Sequence, residues 1–433
     1  MTPTTFVLQR TPDTPARMLT LCLYQYVTMT GISASQVFQP QASLPPNSLA
    51  DHRAQFPGLA NKAYFNYGGQ GPMPQSALDA IQQSYTRIQQ LGPFSGRSYE
   101  WVLEEAAQTR ATIAAELGTT APTITLTENV SAGCNIALWG IDWRSGDHLL
   151  LSDCEHHSVI ASVQELQRRF GIEVSVCPLQ ATLNEGDPTA LLAEYLRPNT
   201  RLVVLSHILW NTGQLLPLKD MVAVCHSYPS QQPIRVLVDA AQSVGMIPLN
   251  LDELQADFYA FTGHKWWCGP EGLGGLYVRP EALDELHPTF AGWRSITVDR
   301  TGHPTGWKQD GQRYEMATSA YPLYAGLRSA IALHQQWGTA QVRYQQLQTL
   351  SQRLWQQLIE LPEVNCLRSS PPETGLISFQ LRSQSHRPLV TSLEANGFMV
   401  RVILDPDCVR ACVHYLTSET EIDQLVEAIG QFG

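Results

Sequence analysis

Lys265 is the residue in this chain best placed for covalent chemistry. It follows the apolar run Tyr259-Ala-Phe-Thr262 and precedes a loop holding Gly269, Gly272, Gly274 and Gly275. Glycines let other groups approach the backbone closely. A cluster of them just after Thr262, His264 and Lys265 therefore predicts a pocket built around something bulky. A lysine amine forms Schiff bases with carbonyl compounds, and burial lowers its pKa enough to free the amine. Taken alone, such a lysine reads equally well as a solvated surface charge.

A second group narrows the chemistry. The run Ile234-Arg-Val-Leu-Val-Asp239 reads as a buried strand ending in a carboxylate, with Gln242 three residues on. The carboxyl end of a strand is where open α/β sheets bind ligands. Pyridoxal phosphate requires an acidic partner on its ring nitrogen, because the protonated pyridine is what makes the ring an electron sink. A strand-end aspartate by itself could merely cap the next helix. Strand–Asp-x-x-Gln followed about 26 residues later by Gly-His-Lys is the rarer composite, and it points to pyridoxal 5'-phosphate as cofactor.

These residues need a frame. Strands are predicted at Ile124–Thr127, His148–Asp153, Arg201–Ser206, the Asp239 run and Asp257–Phe261. Helical patterns cover 74–91, 103–117, 134–139 and 218–226. Strand and helix alternate from about 120 to 280, which implies a mostly parallel sheet covered by helices. The strand at 124–127, the small-residue turn Glu128-Asn-Val-Ser-Ala-Gly133 and the helix after it make an anion site. We assign a phosphate there to Ser131 and the backbone of Ala132, with a simple helix cap as the other reading of Ser131. After His148–Asp153 comes an exit loop, Cys154 to Ser158. His156 and His157, adjacent on extended chain, are expected to point to opposite sides and not to share a metal. Residues 290–307, with Trp293 and Trp307, read as loop-rich and able to line the pocket around Lys265. One or two helices at 323–361 bridge to short strands and a final amphipathic helix at 375–433. Near that end, Arg401 and Arg410 are suited to hold a carboxylate, which a guanidinium binds bidentately.

Four motifs carry a resemblance: Tyr64-Phe-Asn-Tyr-Gly-Gly-Gln-Gly-Pro72, Asp239-Ala-Ala-Gln242, Thr262-Gly-His-Lys265 and Val409-Arg-Ala-Cys-Val-His-Tyr415. From about Leu49 to the C-terminus the chain resembles fold-type I pyridoxal-phosphate enzymes of the class V aminotransferase and cysteine desulfurase-like family. Within them it is most similar to L-cysteine/cystine C–S lyases. The resemblance implies an α/β fold of the aspartate aminotransferase type: a large cofactor-binding domain (46–320) and a smaller α+β C-terminal domain with its bridging helix (321–433). It implies that His156 stacks on the pyridine ring, that Asn211 lies near the cofactor's phenolic oxygen, and that Gln242, Thr262 and His264 complete the cofactor site with Ser131, Ala132, Asp239 and Lys265. Arg410 matches the arginine that holds the substrate carboxylate, and Arg401 a second one beside it. Family members are usually homodimers in which the threonine matching Thr318 reaches the other subunit's phosphate; a helix cap is the plainer reading of Thr318.

The expected reaction is α,β-elimination from cystine or cysteine, giving pyruvate, ammonia and persulfide or sulfide, with Lys265 as the base at Cα. The persulfide could feed iron–sulfur cluster assembly, as the resemblance implies. The rivals are a cysteine desulfurase or selenocysteine lyase, whose own cysteine attacks the substrate's sulfur or selenium, and a class V aminotransferase. A desulfurase carries its nucleophile on a loop between the positions matching Arg401 and Arg410. Here only eight residues separate the two, and Cys408 reads as core.

Composition sets the outer limits. A net charge of −11 without a long basic run argues against nucleic acid and anionic membranes as partners. Nine scattered cysteines with no C-x-x-C pair fit a reducing cytoplasm. Residues 1–45 read as a disordered extension. Their apolar patch, Met18 to Val27, is far short of the ~20 residues that span a bilayer.

Overall fold

The apolar runs become strands buried on both faces, which is the mark of a sheet with helices on each side. The computed structural model describes residues 48–382 and 385–432. The expected N-terminal extension, with its apolar patch, lies outside the described residues. A seven-stranded sheet runs in spatial order Ile124–Thr127, Gly274–Val278, Phe258–Thr262, Arg235–Asp239, Thr200–Ser206, His148–Ser152 and Glu173–Cys177. Gly274–Val278 is antiparallel to both its neighbours, and the other pairings are parallel. Alternation along the strands divides the core. Leu150, Val203, Val236, Val238 and Tyr259 face one layer. Leu149, Leu151, Leu202, Val204, Leu237 and Phe258 face the other.

One expectation is corrected here. Gly274 and Gly275 are not in a pocket loop but in that antiparallel strand. A methyl on Gly274 would overlap the Phe261 carbonyl, and one on Gly275 the Phe261 ring. These glycines let two strands pack closely and leave the pocket to other residues.

The second sheet is antiparallel and four-stranded, in the order Val364–Cys366, Leu376–Leu381, Asp407–Cys412, Arg401–Leu404. Helices Ala340–Ile359, His386–Ala395 and Glu419–Gly430 cover it through Leu354, Leu358, Leu389, Leu393, Ile422 and Leu425. Ser418 and Glu421 form a reciprocal capping box at the start of the last helix. The segment 63–71 ties the two sheets together. Ala63 and Tyr64 pair in parallel with Phe398 and Met399, and the Cys412 N–H donates to the Phe65 carbonyl (2.7 Å). Farther along, the Gly71 N–H donates to the carbonyl of His264 (2.7 Å), next to the lysine.

The stretch 290–307 also differs from expectation. It contains a strand pair, Ile296–Val298 with Pro304–Trp307, and none of its residues lines the cavity around Lys265. The Arg294 guanidinium is instead bound to the buried carboxylate of Glu315 (3.2 Å), which Arg110 also holds (2.7 Å).

Candidate active site

The carboxyl ends of the parallel strands converge on one cavity. Ser206 and Asp239 are register partners at the ends of adjacent strands. Lys265 follows the end of the next strand, Phe258–Thr262. Lys265, Asp239, Gln242, Ser131, His156, Ser206 and Trp210 line one cavity. Among the described residues the Lys265 amine has no hydrogen-bond or ion-pair partner. Burial pulls its pKa down to about 8 against the opposing pull of Asp239, and the positive charges of Arg410 and Arg401 lower it further. Asp239 is buried, which raises its pKa, while the Ala241 N–H (2.9 Å) and Lys265 favour its charged form. Its bond to Ala241 is a turn contact made by one oxygen; the next helix starts only at Leu251 with Asn250 as its cap, and the Asp239 side chain lines the cavity.

His156 caps the helix His157–Phe170, its Nδ1 accepting from the Ser158 N–H (3.3 Å). The Ser158 hydroxyl also lies 2.8 Å from Nδ1, and the Ser131 hydroxyl donates to Ser158 (3.2 Å). With Nδ1 accepting, the ring is neutral and its proton sits on Nε2. Burial first, then His157, Lys265 and Arg401, push its pKa down to about 4. The expectation that His156 and His157 diverge is overturned: their ring centroids lie 3.8 Å apart, because His157 already belongs to the helix. His157 itself is exposed.

Of the other expected site residues, some have their polar groups engaged by neighbours and some lie outside the cavity lining. The helix Val130–Trp139 is capped by Asn129, whose side chain accepts from the Ala132 N–H (2.9 Å). That amide is therefore engaged, and Ser131 sits in the first turn and is not the cap. Gln242 lines the cavity, but its amide donates to the Gly68 carbonyl and accepts from the Trp266 indole, both at 2.9 Å. Thr262 and His264 hydrogen-bond each other (2.7 Å) and lie outside the lining. So does Asn211, whose amide donates to the carbonyl of Asp405 (3.0 Å) while its Oδ1 is buried without a partner. Thr318 is exposed in a separate cavity; the nearby helix begins at Pro322 with Tyr321 as its cap, so Thr318 is not a cap either.

The two arginines stand beside each other on the second sheet, Arg401 opposite Arg410. Arg410 is 2% exposed, and its Nη1 donates to the carbonyl of the cavity-lining Trp210 (2.6 Å). A methyl on Gly68 would stand 3.0 Å from Arg410 Nη2. Arg401 is exposed, and its charge is felt at both Lys265 and His156. The strands carrying them are joined through Asp405 and Pro406 alone, and Cys408 lies buried in the second strand. Burial pushes the Cys408 thiol up to about 12.

Sequence reasoning missed Glu155 and Trp210. The buried Glu155 carboxyl accepts from the Ser152 hydroxyl (2.6 Å) and from the Ser206 N–H and hydroxyl (both 2.8 Å). It thereby joins two strand ends beneath the cavity. Its position next to His156 was the one signal available. An amine free to attack a carbonyl, a buried carboxylate, a neutral imidazole and a rim arginine together form a site for an amino-acid-sized carbonyl or amine reaction.

Comparison with known proteins agrees with this geometry. Over 404 residues the chain is 27% identical to a cysteine desulfurase of Escherichia coli O127:H6, covering 87% of this chain and 96% of that one. A cysteine desulfurase of Salmonella agona is 29% identical over 408 residues, with the same coverage. Two solved structures of the protein C-DES are 52% identical and cover 88% of this chain. One is a complex of "the cystine C-S lyase C-DES" with its reaction product cysteine persulfide (TM-score 0.86, all of that chain covered). The other is a C-DES mutant with glycine covalently linked to the pyridoxal-phosphate cofactor (TM-score 0.87, 99% of that chain covered). The family profile described as aminotransferase class-V matches residues 63–425, and the chain belongs to that family.

Proposed function

We propose that this chain is a pyridoxal-phosphate-dependent L-cystine/cysteine C–S lyase, converting cystine and water to pyruvate, ammonia and a persulfide. The observation that carries the reading is the single cavity shared by Lys265 and Asp239, with Arg410 bonded to its wall. Its occurrence in a chain 52% identical to a cystine C–S lyase supports the same reaction.

The residues fit the cofactor. An unpartnered amine whose pKa is drawn down to about 8 is suited to bond the aldehyde carbon. The buried Asp239 carboxyl supplies the partner for the ring nitrogen, and the neutral His156 ring offers a flat face. Ser131, in the first turn of a ten-residue helix, would turn its hydroxyl from Ser158 to the phosphate. Pyridoxal phosphate held by these residues would supply an electron sink for the pair left at Cα when its proton leaves, the condition for losing sulfur from Cβ. Lys265 takes that proton, Asp239 maintains the positive ring nitrogen, and Arg410 holds the substrate carboxylate with Arg401 assisting. With cystine the departing group is a persulfide anion, a better leaving group than a simple thiolate, which favours cystine as substrate.

A cysteine desulfurase needs a thiolate that can travel to the substrate sulfur. The curated relatives bear that name, yet here the Arg401–Arg410 hairpin has no loop to carry one and Cys408 is held protonated in the core. We further propose a homodimer, supported by the exposure of Thr318 away from its own chain's Lys265 cavity. The persulfide product suits supply to iron–sulfur assembly. Free cysteines throughout the described residues support a cytoplasmic location.

The test is to incubate the purified protein separately with cystine, cysteine and alanine, without a keto acid. Pyruvate from cystine supports the lyase. Alanine formed from cysteine supports the desulfurase, and keto-acid dependence the aminotransferase.

A further inference from the structure

Two buried N–H groups have no acceptor among the described residues: the indole Nε1 of Trp210, which lines the Lys265 cavity, and the guanidinium Nε of Arg410, which is bonded to that residue. A donor left unpaired away from water is costly, so native proteins seldom keep one without a use. These two belong to residues already joined, since Arg410 Nη1 donates to the Trp210 carbonyl (2.6 Å). The indole is held in place edge-to-face against His156, ring centroids 5.7 Å apart. The Trp267 indole also lacks an acceptor, but it is sealed in the apolar core, whereas Trp210 lines the cavity with Lys265 and Asp239.

Resting on the amino-acid substrate proposed above, we propose that Trp210 is a substrate-positioning residue, its indole N–H sharing the substrate's α-carboxylate with the Nε–H of Arg410. A carboxylate has two oxygens and about four lone-pair sites, enough for both donors. The Arg410 Nη1–Trp210 carbonyl bond then has a purpose beyond packing. It fixes the backbone that carries the second donor relative to the guanidinium that carries the first. A planar anion is held in one orientation by donors from two directions, which sets the Cα–H bond relative to Lys265.

The test compares glycine with methylamine, the same amine without a carboxylate, by titrating each into the holoenzyme and following its cofactor absorbance. Trp210→Phe, and a 3-(3-benzothienyl)alanine at position 210 that keeps the bicyclic ring but not the N–H, are the variants. In both, the preference for glycine over methylamine should fall about tenfold, with methylamine affinity little changed, and the KM for cystine should rise by a similar factor. Equal weakening of both ligands, an unchanged preference, or a parent enzyme with no preference for glycine would overturn the proposal. The pyruvate assay on the parent enzyme separates the two readings. A parent that releases no pyruvate from cystine sinks the lyase, while the glycine-to-methylamine ratio still decides the role of Trp210.

Discussion

Gly71 lies with its α-carbon against the backbone carbonyl of Lys265, so closely that a methyl there would overlap it and stand 2.7 Å from Cys268 Sγ. Both obstacles belong to the buried turn that carries the lysine, and backbone cannot step aside as a flexible side chain can. Gly71→Ala should therefore lower stability by roughly 1–3 kcal/mol and reduce cofactor occupancy. Denaturant unfolding and the absorbance of the purified protein measure the two. An alanine variant matching the parent in both would show that this contact does not position Lys265.

Cys408→Ala should keep most of the cystine cleavage. The thiol is buried on a strand, paired with Ile403, and burial holds it protonated. Packing, roughly 1 kcal/mol of it, and a contact with the Ser378 hydroxyl are lost. Pyruvate release measured at saturating cystine checks this, and abolition of turnover would return the cysteine-nucleophile mechanism to first place.

Glu155 makes the stability of the protein depend on pH in a particular direction. Burial pushes its carboxyl up to about 7, with Asp239 adding to the rise and the Ser152 and Ser206 hydrogen bonds opposing it; the ordinary value is 4.5. Between those values the folded chain holds the proton more tightly than the unfolded chain. The contribution of this group is therefore full below pH 4.5 and is lost as pH rises through 7, by roughly 3 kcal/mol in all. Glu155→Gln removes that titration while keeping a polar group for the serines. Its stability relative to the parent should improve from pH 4.5 to pH 8 in urea unfolding, and parallel pH curves for the two proteins would contradict the assignment.

The parts of this site legible in the sequence are those whose signal is local. Asp239 ends a strand with the apolar run Val236-Leu-Val238 and Lys265 follows another apolar strand, so strand patterning sets both at the carboxyl edge of a parallel sheet. The hidden parts depend on partners distant in sequence. Glu155 is defined by Ser206, on the neighbouring strand and fifty-one positions away. Trp210 acquires meaning from Arg410, two hundred positions on. Gly274 and Gly275 read as loop because glycine ordinarily weakens a strand, and only the carbonyl and the ring of Phe261 show why two are required in this strand. His156 and His157 diverge only on extended chain; the helix beginning at His157, where the sequence reads as exit loop, brings their rings together.

The most direct test of the account concerns the Lys265 amine. The chain has four lysines, at 62, 219, 265 and 308. Borohydride reduction of the purified holoenzyme, followed by proteolysis and mass mapping, should place the phosphopyridoxyl group on the peptide containing Lys265, and Lys265→Ala should carry no label. A label on one of the other three lysines, or none on a protein that still cleaves cystine, would contradict the account.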